Sequence, residues 1–182
     1  MIKMLSQAAM LAACGFGLGA CTPQTAAPAK KPPAADYQAE VPPPPPAASI
    51  KAICYNEADL NTFRTRMVQG EFAVATLQCQ NAGGARALED MYRSFLNKFG
   101  PELVNNTREL NQLAGRKRLN VDIVVTQFAN RTAQRPSVDP RFCERSQRAF
   151  EWALTTKVTS LSQVPAMYDL GPDMNVHPCP KS

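Results

Sequence analysis

Residues 88–115 read LEDMYRSFLNKFGPELVNNTRELNQLAG, and this stretch decides the fold class. Leu88, Met91, Tyr92, Phe95, Leu96 and Phe99 each have partners three or four residues along the chain. That period places them on one face of a helix and no face of a strand. Gly100-Pro101 then reads as punctuation, since glycine suits the end of one helix and proline the first turn of the next. A following helix is expected to carry the stripe through Leu103, Thr107, Leu110 and Ala114 as far as Gly115.

Working outward, Asn56 followed by Asp59 has the spacing of an N-cap and its partner, and Leu60, Phe63 and Met67 continue at helical intervals up to Gly70. A second helix over residues 71–81 would place Phe72, Ala75, Thr76 and Cys79 on one face, making an antiparallel hairpin with the first. On the other side, Val121, Val124, Val125 and Phe128 form an apolar face. The β-branched run 121–125 could also be a strand, but no second strand-like run offers it a partner. Asp139-Pro140 reads as a cap followed by a first-turn proline, opening a helix through Phe142, Ala149, Phe150 and Ala153. The expectation is an all-α domain: a small bundle of five or six helices. Its aromatic and methionine stripes are core rather than a ligand box.

Cys54, Cys79, Cys143 and Cys179 fall within this domain, and no two show the CxxC spacing of a redox or zinc site. Four cysteines in an exported domain suggest two disulfides, which permits three connectivities. A hairpin broken at Gly70 would bring Cys54 to Cys79, leaving Cys143 for Cys179. That is the pairing expected from the helix reading.

The amino terminus has a different composition. Lys3 precedes a run of 13 residues, Ala8 to Ala20, that is almost wholly apolar or glycine. This matches a signal-peptide core and falls short of the roughly 20 residues a membrane span requires. The run ends in Leu18-Gly19-Ala20-Cys21, which resembles the lipobox of bacterial lipoproteins. The resemblance covers only about the first 22 residues. It implies a signal peptide at residues 1–20, cleavage between Ala20 and Cys21, and lipid (diacylglycerol and an N-acyl chain such as palmitate) on Cys21. In that class an aspartate after the cysteine tends to retain the protein in the inner membrane. Thr22 therefore implies the outer membrane, facing the periplasm. More than one acyl chain gives stable anchoring.

Residues 21–49 form a lipidated cysteine plus linker, rich in Pro and Ala and carrying nine of the sixteen prolines. Such a composition predicts a disordered tether of polyproline II character. The helical, disulfide-linked domain is then expected at 50–182.

Few features carry chemistry. There is no HExxH, no GxSxG and no phosphate-binding glycine loop. The single histidine, His177, lies in a proline-flanked tail, and Asp169 and Asp173 flank a turn at Gly171-Pro172. No catalytic residue, metal ligand or cofactor is assigned. The chain carries a formal charge of +5. Its basic residues gather as Arg116, Lys117 and Arg118, and as Arg141, Arg145 and Arg148, the last three on one helix face. The plainest reading is a solvated face with local ion pairs, Glu144 and Glu151 to Arg148. The sharper reading is an anion-binding or inhibitor module for phosphates or carboxylates of the envelope. Nucleic acid is not an expected partner for a domain facing the periplasm. The leading expectation is a non-enzymatic accessory or scaffold lipoprotein of the cell envelope; an envelope hydrolase ranks last.

Overall fold

A computed structural model of the chain describes residues 35–39, 50 and 53–180. Four helices dominate it: α1 Glu57–Gln78, α2 Glu89–Lys117, α3 Val121–Ala133 and α4 Phe142–Leu154. Two three-residue strands, β1 Ile53–Tyr55 and β2 Val176–Pro178, pair in parallel with Cys54 opposite His177. The domain is mostly helical, as expected, with fewer and longer helices than expected and a small sheet that was not. Among the described residues no helix is long and apolar enough to cross a membrane.

α1 is the axis of the fold. Asn56 caps it as expected, its side chain accepting from the Asp59 N–H at 2.8 Å. The helix does not break at Gly70. A mid-helix glycine weakens a helix by only about 1 kcal/mol, and burial on both sides outweighs that. Phe63, Met67, Phe72 and Ala75 are all buried, and so are Thr62, Thr65, Glu71 and Thr76. α1 therefore touches neighbours around most of its circumference, packing on α2, α3 and α4.

α2 likewise passes through Gly100-Pro101 without ending. Pro101 cannot donate to the Asn97 carbonyl, but both residues lie on the exposed side, where water can take that acceptor. The core stripe runs Phe95, Phe99, Leu103, Asn106, Leu110 and Leu113. Asn106 stands where Thr107 was expected, and its Nδ2 donates to the Thr62 carbonyl at 2.9 Å. Leu96, expected in the stripe, is exposed. α3 is a helix in spite of its β-branched run, capped by Asn120 and buried through Val124 and Phe128, with Val125 left exposed. At α4, Asp139 accepts from the Arg141 N–H at 3.0 Å and the helix begins at Phe142, two residues later than Asp139-Pro140 suggests.

The aromatic core joins three helices: Phe72 lies 4.1 Å from Phe150 and 4.8 Å from Phe95 between ring centroids. Over it folds the irregular segment after α4, burying Val158, Leu161, Met167, Tyr168, Leu170 and Met174.

The disulfides are Cys54–Cys179 and Cys79–Cys143, which corrects the expected pairing. The reason is the length of α1. An unbroken helix of 22 residues rises about 33 Å, so Cys54 before it and Cys79 at its end cannot approach within disulfide range. Cys79, at the C-cap of α1, meets Cys143 in the first turn of α4 instead.

A further correction concerns the tether. Residues 35–39 fall inside the expected linker, yet Tyr37 is completely buried. Its hydroxyl donates to the Pro165 carbonyl at 2.9 Å, and Ala39 N–H donates to the Met167 carbonyl at 3.0 Å. This strap binds the N-terminal side of the chain to the irregular C-terminal segment. Tyr37→Ala is expected to release the strap locally and not unfold the helices. Undocking limits the loss to about 1–2 kcal/mol, below the 3–5 of a buried core aromatic. Limited proteolysis checks this, with new cleavage near residue 37 as the expected result and an unchanged pattern as the contrary one.

Candidate functional site

The basic residues singled out above are the first candidates, and most of them are held by partners within the chain. Arg141 forms a two-pronged pair with Glu144, at 2.9 and 2.8 Å. Arg145 is largely buried; its Nε donates to Asp139 at 2.9 Å and its Nη1 to the Tyr37 carbonyl at 2.7 Å. Arg148 pairs with Asp36 of the strap, and not with Glu144 or Glu151. Three arginines that share a helix face in sequence thus end on three different partners. Two of those partners belong to, or hold, the segment around Tyr37.

The second group behaves similarly. Arg116 pairs with buried Asp59 at 2.7 Å. Lys117 donates to the Cys54 carbonyl at 3.1 Å and lies over the Tyr55 ring. Arg118 adopts a left-handed backbone, φ 54°, to close α2. Arg116 and Arg141 stay more than half exposed while paired, and Arg118 is exposed.

The most unusual chemistry lies between α1, α4 and the irregular segment. Glu71 is wholly buried and accepts backbone N–H bonds from Met167 at 2.8 Å and Tyr168 at 3.0 Å. Burial pushes its carboxyl up to about 8, against the pull of those two bonds and of Arg135. Asp139 shows the opposite balance. Burial pushes its carboxyl upward, but hydrogen bonds from Arg145, Tyr168 and the Arg141 N–H outweigh that and hold it below the usual range. Asp173 takes Arg135 at 3.0 Å, with Arg131 at 3.9 Å. Arg135 also stacks over Tyr168, 5.2 Å from the ring centre.

This constellation holds a chain segment without regular structure in one conformation. Buried carboxylates stand in for the backbone ladders that helices and sheets would supply. Asp173, half of the acid pair considered above, is committed to arginines, and Asp169 accepts from the Gly171 N–H within its own turn. His177 lies on β2, exposed beside the Cys54–Cys179 bridge. Among the described residues, no group of three or more His, Cys, Asp or Glu side chains could hold a metal ion. Cys21, the expected lipidation site, lies outside the described residues.

The burial of Glu71 has a signal in the sequence. The residue sits four residues after Met67 and four before Ala75, on the core side of α1. A helix break at Gly70 would make it a helix-start residue; the unbroken α1 places it in the core. The partners of Arg145 and Arg148 had no such signal, since they lie more than 100 residues away in sequence.

No family model, no curated protein and no solved structure matches this chain.

Proposed function

We propose that the chain is a lipid-anchored protein of the bacterial envelope whose helical domain has an accessory or scaffold role, binding another envelope component from the periplasmic side of the outer membrane. The observation that carries this reading is the lipobox Leu18-Gly19-Ala20-Cys21 followed by a domain whose four cysteines are all paired. Disulfides persist in oxidising compartments and are rare in the cytosol, which agrees with export. The inward commitment of the buried carboxylates and arginines favours a binding or structural role over hydrolysis.

The docked strap sets the geometry of such a protein. With residues 35–39 held on the domain, the spacer between Cys21 and the domain is about 13 residues. At roughly 3.1 Å per residue it reaches about 40 Å, less than half of what a free linker to residue 49 would allow. The partner should accordingly lie near the anchoring membrane.

Two measurements test the reading. Cys21→Ser should move the protein from the membrane pellet to the soluble envelope fraction, and a distribution unchanged by the substitution refutes the anchor. Crosslinking in intact cells, followed by mass spectrometry of membrane-derived complexes, should return one dominant envelope partner. Its absence in the wild type, with anchoring intact, counts against the scaffold role.

A further inference from the structure

The two disulfides differ in what surrounds their sulfurs. Cys54 lies in β1 and Cys179 directly after β2, and both residues are exposed. Cys79 is only 2% exposed and belongs to the apolar core, so of the second pair only Cys143 reaches solvent. A cation stands beside the first bridge: Lys117 Nζ donates to the Cys54 carbonyl at 3.1 Å. The strand that this bridge fastens is three residues long, and beyond it Cys179 N–H donates to the Tyr55 carbonyl at 3.0 Å.

We propose that Cys54–Cys179 is a redox-sensitive latch, opened in the folded protein by a thiol or dithiol reductant while Cys79–Cys143 stays closed. Exchange needs a thiolate that can reach one sulfur and a stable thiolate leaving from the other. At the latch both conditions hold. The incoming thiolate attacks Cys179 Sγ, the bond to Cys54 breaks, and Cys54 leaves as a thiolate in water beside the Lys117 ammonium. A second thiol attacks the mixed disulfide on Cys179 and releases the reductant as its own disulfide. Two thiols are thereby oxidised, and the bridge takes up two electrons and two protons. At the second bridge each direction fails. Cys143, in the first turn of α4, would leave well, since a helix N-terminus favours a thiolate. That route, however, requires attack on buried Cys79. Attack on Cys143 would instead expel a thiolate into the apolar surroundings of Cys79, where its charge is disfavoured. Opening the latch has a consequence for the surface. β2 packs on α1, and Val176 shares a cavity wall with Leu60 and Met67. Release of β2 therefore uncovers apolar side chains of α1 that are buried while the bridge is closed. The latch rests on these contacts alone and is independent of where the chain is anchored.

The test uses the full-length chain, purified in detergent, with any free thiol first blocked by iodoacetamide. Reduced glutathione is added, and samples taken over time are trapped with N-ethylmaleimide and mapped by mass spectrometry. Cys54 and Cys179 should be modified at least about tenfold faster than Cys79 and Cys143, at a rate linear in glutathione. The first intermediate should carry glutathione on Cys179 and maleimide on Cys54. Lys117→Gln, which removes the charge beside the leaving thiolate, should slow opening about threefold. Hydrogen exchange on the reduced protein should show protection lost from Cys179 inward, with α1 and α2 unchanged, and oxidised glutathione should restore it. Three outcomes overturn the latch: modification of all four cysteines together, a rate that levels off with glutathione because the fold must open first, or a rate untouched by Lys117→Gln.

Discussion

Replacing Cys54 and Cys179 together by serine should destabilise the domain by about 5 kcal/mol and lower its melting temperature by about 15 °C or more. The bridge spans 125 residues of sequence, and the entropy that a cross-link removes from the unfolded chain grows with the loop it closes. Removal of Cys79–Cys143, across 64 residues, should cost about 4 kcal/mol on the same account. A domain of this size has only about 5–15 kcal/mol in total, so either loss leaves it marginal. The two variants should nevertheless fail differently. Cys79–Cys143 joins two helices that already pack through Phe72 and Phe150, so its loss should leave the helices in place. Cys54–Cys179 fastens a segment that has little secondary structure of its own. Hydrogen exchange should therefore show early loss of protection at Met167 and Tyr168 in the Cys54→Ser/Cys179→Ser variant, ahead of α1 and α2. A fall in stability below about 1 kcal/mol would mean that the segment is held by its side chains alone. A non-reducing peptide map that joins Cys54 to Cys79 would contradict α1 as a single helix.

The same two elements show where sequence reading reaches its limit. Helical period, the Asn56 cap and the long stripe of α2 are local signals, and they gave the helical class and three of the helix starts to within a few residues. Gly70 and Gly100-Pro101 are local signals too, and they misled. Whether a glycine or proline ends a helix depends on what both halves bury, and α1 buries almost all of its faces. A helix buried around most of its circumference has no single stripe to read. The irregular segment is harder still. Val158, Leu161, Met167, Leu170 and Met174 follow no fixed period, and what fixes them is a carboxylate about 96 residues away in sequence, Glu71. Tyr37 illustrates the same point from the other end: one aromatic in a proline-rich stretch looks like linker until its pocket is known. As for the candidate site, the arginines were visible as a charged face, but Asp36, Asp59 and Asp139, which neutralise them, are partners only in three dimensions. Asp59 itself was legible as a capping partner and illegible as the buried partner of Arg116.

Glu71 should make the stability of the domain fall as the pH rises from about 4.5 to about 8. The sign follows from the direction of the shift. Its carboxyl is raised by burial from the ordinary 4.5 to about 8 in the folded protein. Between those values the native state binds a proton that the unfolded chain does not. The stabilising contribution of the protonated form is fully present below about pH 4.5 and lost as the pH passes through about 8. The slope attributable to one such group is at most about 1.4 kcal/mol per pH unit. Asp139, whose carboxyl is held low, acts in the other direction. Its contribution is present above its unfolded value near 3.8 and lost only in more acidic solution, outside this window. Glu71→Gln separates the two. It should be less stable than the native protein at pH 5 by about 1–3 kcal/mol, since an amide offers one oxygen where Met167 and Tyr168 each require an acceptor. It should also show a flatter pH dependence, so that the two stability curves converge toward pH 8. Urea unfolding of both proteins at half-unit steps from pH 4.5 to 8.5 measures this. Parallel curves would mean that the two N–H bonds and Arg135 keep Glu71 ionised throughout. The irregular segment would then be held by a buried charge in place of a buried proton.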